Sequence, residues 1–125
     1  MAQSQNTKVE LTIKATSFQG LTTYGDLLVG DRAVEFYNER NPEDYIQIPW
    51  DEVDYVAASV MFGGRLISRF AIFTRSNGHF SFSTRDNKRT LRSFRGHVPE
   101  DRLQRSPTFL QVMGLGIKRL FLGGY

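Results

Sequence analysis

Between residues 9 and 15 the chain alternates, with Val9, Leu11, Ile13 and Ala15 apolar and Glu10, Thr12 and Lys14 polar. A period of two predicts a half-buried strand. Residues 24–29 and 33–37 are two further strand-like runs joined through Gly30-Asp31, where glycine permits the positive φ of a tight hairpin turn. The polar loop Asn41-Pro42-Glu43-Asp44 precedes a short strand at 45–48, closed by Pro49. Val53–Met61 and Leu66–Thr74 flank Gly63-Gly64, and Asn77-Gly78 joins the second run to residues 80–83. Asn-Gly between apolar runs is a strong hairpin signal.

Two-residue loops at both turns place Val60 opposite Ile67 and Phe73 opposite Phe82. One face of that meander then collects Val56, Ala58, Val60, Ile67, Ala71, Phe73, Phe80 and Phe82, the expected core. The other collects Tyr55, Ala57, Met61, Leu66, Phe70 and Ile72 among Ser59, Ser68, Ser81 and Ser83. A solvated sheet face is normally more polar. This second face therefore calls for a cover, either the chain's own C-terminal segment or a partner.

The period changes after the strands. Asp86 or Thr84 can cap a helix in which Leu91, Phe94 and Val98 share one side, with Gly96 suited to its end. At 100° per residue Lys88, Arg92 and Arg95 fall within an arc of about 60°, and Arg85 and Arg89 sit near the same side. Such a helix packs its apolar face on the sheet and turns a basic row outward. Residues 99–106 read as a polar linker. Ser106-Pro107 then resembles a helix start, with serine as cap and proline in the first turn. A helix over 107–122 is about 24 Å long, with Phe109, Leu110, Val112, Met113, Ile117, Leu120 and Phe121 on a broad apolar side and Gln111 and Lys118 opposite. Gly114 and Gly116 each weaken it by about 1 kcal/mol relative to alanine, so its order depends on what it packs against. The organisation expected is a flexible N-terminus (1–8), a domain (9–98), a linker (99–106) and an amphipathic tail (107–125).

The 125 residues suffice for one domain, and 40% hydrophobic with 23% charged residues is a globular composition. No apolar run approaches the roughly 20 residues that cross a bilayer. The first eight residues have no hydrophobic centre, so no secretory signal is expected. Net charge is only +3, yet its distribution is uneven. Residues 1–62 carry 4 Lys/Arg against 10 Asp/Glu, and residues 63–125 carry 12 against 3. Twelve of the 16 basic residues are arginine, whose planar fork suits carboxylate and phosphate. Two outcomes stay open at this point: the halves neutralise each other within one fold, or the arginines meet an external anion.

Catalytic chemistry is hard to find. The absence of cysteine removes disulfides, thiol nucleophiles, thiolate zinc sites and iron–sulfur clusters. His79 and His97 lack companions at metal-ligand spacing. Asp51, Glu52 and Asp54 read as a solvated strand entry, and no serine lies in a Gly-x-Ser-x-Gly turn. Gly114-Leu115-Gly116 and Gly123-Gly124 lack the surroundings of a phosphate cradle. No catalytic residue, metal or cofactor is expected, and a binding module is the better class.

Six or seven antiparallel strands followed by a helix resemble a pleckstrin-homology-like or GRAM-like domain. Residues 25–37 look like its paired opening strands, and residues 45–53 like its "Ile-Pro, then acidic, then Val" step. The expected fold is thus α+β, mostly β: a PH-like antiparallel sandwich or partly open barrel of about seven strands with a C-terminal helix and a helical tail. From about residue 16 to 122 the chain further resembles the ManO-type family of unassigned function. The likeness is strongest at Ile48-Pro49-Trp50-Asp51-Glu52-Val53, Phe62-Gly63-Gly64-Arg65, Arg69-Phe70 and Ser83-Thr84-Arg85-Asp86. The genes of that family accompany mannose-class phosphotransferase system permeases. The resemblance implies a cytoplasmic accessory protein, peripheral to the inner membrane face, that regulates sugar transport; it supplies no site residues. On the physical reading Arg85, Lys88, Arg89, Arg92 and Arg95 would meet acidic loops of the permease, and Phe109, Leu110, Met113, Ile117, Leu120 and Phe121 would fill an apolar groove. Several copies could bind an oligomeric permease. The alternatives are binding to anionic lipid and, further back, to operon DNA, for which no helix-turn-helix is evident.

Overall fold

The computed structural model of the chain describes residues 3–107. Among them are eight strands: β1 (Val9–Ser17), β2 (Thr23–Gly30), β3 (Ala33–Asn38), β4 (Tyr45–Pro49), β5 (Val53–Met61), β6 (Leu66–Thr74), β7 (His79–Thr84) and β8 (Leu103–Pro107). One helix, α1 (Asn87–Phe94), follows β7. The strands form a single sheet in the order β4-β3-β2-β1-β7-β6-β5-β8, antiparallel except that β8 runs parallel to β5. This is an α+β, mostly β architecture, mixed and not closed into a barrel.

Chain connectivity forces the sheet to curl. β4 and β5 stand six strands apart in the order, about 29 Å in a flat sheet, yet only Trp50–Glu52 link them. Four Cα–Cα steps reach at most about 15 Å. The curled inner face holds Leu11, Ile13, Leu27, Val29, Val34, Phe36, Ile48, Val53, Val56, Ala58, Phe70, Ile72 and Phe82. α1 closes it by placing Phe94, wholly buried, 5.6 Å from the Phe70 ring and 5.3 Å from Trp50. Burying a phenylalanine of this kind contributes about 1.5–3 kcal/mol. Asp86 caps the helix by accepting the Arg89 N–H at 3.1 Å.

The meander departs from the simple register. Val60 does face Ile67, but Phe82 lies opposite Phe70, and Phe73 lies opposite His79. A β-bulge at Ser68 is one cause: Ser59 pairs with Arg69 and Val60 with Ile67, so Ile67 and Phe70 share a face although three apart. Side chains satisfy the backbone carbonyls at the bulge, Ser83 Oγ donating to Ser68 at 2.9 Å and Asn87 Nδ2 to Ile67 at 2.7 Å. The second cause is the turn before β7, where Thr74 N–H donates to Gly78 O and Gly78 takes φ +75°, so the loop exceeds two residues. Phe70 and Ile72 therefore enter the core, while Ala71 and Phe73 turn to the outer face. That face is less greasy than the simple register implies. It carries Tyr55 stacked on Phe73 at 4.4 Å, Phe73 on His79, and the Arg69 guanidinium over Phe18.

Four further expectations change. Gly30 has no positive φ; a Cβ there would lie 2.1 Å from Asn6 Cγ, so the glycine makes room for a side chain. Residues 3–8, expected as a flexible end, are pinned to β3 and the β2–β3 turn, as described below. Residues 99–106, expected as a linker, contain a 3₁₀ turn (Glu100–Arg102) and most of β8. The Ser106-Pro107 step ends that strand. An edge strand accommodates proline, which has no N–H to give. Arg102 Nη1 fixes the turn by donating to Asp54 O at 2.9 Å and to its carboxylate at 3.1 Å. The tail residues Phe109, Leu110, Met113, Ile117, Leu120 and Phe121 lie outside the described residues.

Candidate binding cleft

β8 extends the sheet beyond the cover of α1, and a cleft of about 360 Å³ opens between them. Its floor is apolar: Val56 and Ala58 of β5, Ile67 of β6, Leu91 of α1 and Leu103 of β8. Its walls are cationic, with Lys88 and Arg92 on the helix, Arg95 at its C-cap and Arg105 on β8, beside Gln104 and the single acid Glu100. The helical spacing explains the wall, since positions i, i+4 and i+7 share a face. Strand alternation explains its opposite side, where Leu103 and Arg105 are two apart.

Of the five basic residues expected to form one row, the fold gathers three in this cleft. Arg85 precedes the helix, donates its N–H to Lys14 O, and lines separate depressions beside β1 and β6. Arg89 is exposed in the first turn of α1 and does not line the cleft. Arg105 joins the group from a segment whose polarity disguised a strand.

All four cleft cations are exposed, and none forms an ion pair with another described residue. Other cations of the second half do have internal partners: Arg102 pairs with Asp54, Arg75 Nε donates to Asp51 O, and Arg69 covers Phe18. Among the described residues, Arg102–Asp54 is the one arginine–carboxylate pair that crosses between the halves. Mutual neutralisation thus does not account for the helix and β8 cations.

Several acids of the first half are engaged elsewhere. Glu35 is wholly buried on the outer face of β3, where its carboxylate accepts from Ser4 Oγ (2.5 Å), Gln5 N (2.7 Å) and Asn6 Nδ2 (3.2 Å). Asn6 Oδ1 in turn accepts from Arg32 N and Ala33 N, and its Nδ2 donates to Ala33 O. Asp31 accepts from the Thr7 hydroxyl and from the N–H groups of Thr7 and Lys8. The Thr7 hydroxyl chiefly, then the Lys8 N–H, lower the Asp31 carboxyl to about 2. Burial raises the Tyr37 hydroxyl above its ordinary value; a hydrogen bond from Gln47 opposes this, and the charge of Glu35 adds to it.

The two histidines serve packing here. His97 stacks on Trp50 at 4.5 Å and its Nε2 meets Glu10 at 2.8 Å, while His79 stacks on Phe73. Asp51, Glu52 and Asp54 are spread over the β4–β5 step, with Glu52 accepting from Ser76 and Asp54 held by Arg102. Among the described residues no helix is long and apolar enough to cross a membrane.

These features define the class: a mostly β domain on one curled mixed sheet, closed by a short basic helix. The chain belongs to the family described as a domain of unknown function (DUF956), which matches residues 1–117. No curated protein matches it in sequence. In fold it is similar to the C-terminal domain of an unknown protein from Leishmania infantum, at a TM-score of 0.62 and 10% identity, over 72% of this chain and 83% of that one. At that identity the likeness concerns the fold alone.

Proposed function

We propose that the protein is a non-catalytic accessory module that binds, through the cationic cleft, an acidic segment on the cytoplasmic side of a membrane-embedded sugar permease. The ManO-type resemblance points to the mannose class of the phosphotransferase system, and the module would alter the stability or activity of that permease. The curled sheet with a closing helix is also the shape expected of a PH-like or GRAM-like domain, a common interaction scaffold. One observation carries the reading: four cations and a single acid, Glu100, converge on an apolar floor, and none of the cations has an ion-pair partner among the described residues. Unpaired arginines around apolar surface suit an anionic protein partner, because desolvated arginine–carboxylate pairs fix orientation while buried apolar contacts supply affinity.

Affinity purification of the full chain from native membranes tests this. Permease subunits are expected with the wild type, and their recovery falls sharply when Arg92, Arg95 and Arg105 are all changed to Glu. Undiminished recovery with that variant removes the arginines from the account. Direct binding to anionic lipid is the second reading, favoured by the same exposed cations. Co-sedimentation with protein-free vesicles separates the two.

A further inference from the structure

The shape of the cleft narrows the chemistry of its occupant. Lys88, Arg92 and the C-cap residue Arg95 succeed one another along α1 and its end over about 10 Å, at 1.5 Å per residue. Arg105 faces them from β8, the last strand in the sheet order. A single phosphate group is satisfied at one point by two or three donors. Charges spread over 10 Å on both walls instead match several carboxylates along a chain, since an extended peptide covers that distance in about three residues. Between the walls Leu91 and Leu103 leave apolar floor exposed to the cleft, enough for one aliphatic side chain. Among the described residues β8 pairs with β5 alone, and an edge strand is a site at which an extended peptide can add.

We infer that the cleft receives a short extended acidic peptide in which carboxylates flank one aliphatic residue. The carboxylates meet Arg92, Arg95 and Arg105, and the aliphatic side chain rests between Leu91 and Leu103. This deepens the proposed function by naming the partner's recognition segment, and the permease identity rests on that reading. The peptide chemistry follows from the cleft itself.

Fluorescence anisotropy of the full chain with a labelled Ser-Asp-Glu-Leu-Glu-Asp-Ser peptide is the test. Saturable binding is expected, weakened about tenfold or more when the acids become Asn and Gln or when the peptide's leucine becomes Ser. Arg92→Glu with Arg105→Glu should weaken it similarly while the thermal midpoint stays unchanged. Absence of binding overturns the inference, as does binding indifferent to the peptide's leucine, which is charge attraction alone. Tighter, equally variant-sensitive binding to phosphatidylglycerol vesicles also overturns it, in favour of lipid. If the peptide fails but membrane capture still depends on the arginines, this inference falls and the accessory reading stands. If the peptide binds as expected and membrane capture ignores the arginines, the reverse holds.

Discussion

The N-terminal arm over β3 and the cleft beside β8 treat charge in opposite ways. At the arm every buried polar atom has a partner: Glu35 alone accepts three hydrogen bonds, and the Asn6 side chain makes four. At the cleft four cations stand exposed without an ion-pair partner among the described residues. Folding explains the first arrangement, because a buried carboxylate without donors costs several kcal/mol. It does not explain the second. Clustered like charges repel and give the fold nothing in return. The contrast teaches where to look for function in this molecule: among the charges that the fold leaves unanswered.

Breaking the arm should have the largest effect on stability. Asn6→Ala removes the side chain that bridges Arg32, Ala33 and Glu35, and equilibrium denaturation should show a loss of about 3 kcal/mol. Glu35→Gln is milder. Its amide would turn a donor towards a site already crowded by the donors of Ser4, Gln5 and Asn6, at a cost of about 1–2 kcal/mol. Neither change should alter binding of the acidic peptide by the folded protein.

A smaller effect sharpens the same contrast through pH. Asp31 titrates near 2 in the folded state against an ordinary value of 3.8. A depressed carboxyl stabilises the fold above its unfolded value, and that contribution is lost as pH falls from about 4 towards 2. Asp31→Asn should therefore lower the thermal midpoint slightly at neutral pH and flatten its decline below pH 4. Parallel acid curves for the two proteins would contradict the assignment.

Much of this fold is legible along the chain, and the misses have physical causes. Seven strands announce themselves, β1 by period-two alternation and the others as short runs bounded by turn residues, and of the two caps expected, Asp86 and Thr84, it is Asp86 that starts the helix. β8 escapes because Leu103-Gln104-Arg105 is too short and polar to show a period; it becomes a strand by pairing with the edge of β5. The bulge at Ser68 escapes because one inserted residue leaves no compositional trace, yet it exchanges Phe73 for Phe70 in the core. The arm escapes because its order comes from hydrogen bonds to residues some 30 positions away, and Glu35 in Val34-Glu35-Phe36 looks like any outward strand residue. Three cleft cations are legible from helical spacing. The fourth, and the apolar floor, required the β5–β8 pairing.

The central claim is that the cleft cations serve an external partner and not the fold. Thermal melting of the free protein after Arg92→Gln, Arg95→Gln and Arg105→Gln together tests it most directly. The account predicts a midpoint equal to or above that of the wild type, because crowded positive charge is relieved and no internal contact is lost. A midpoint lower by several degrees would mean that these side chains hold the structure together, and would contradict it.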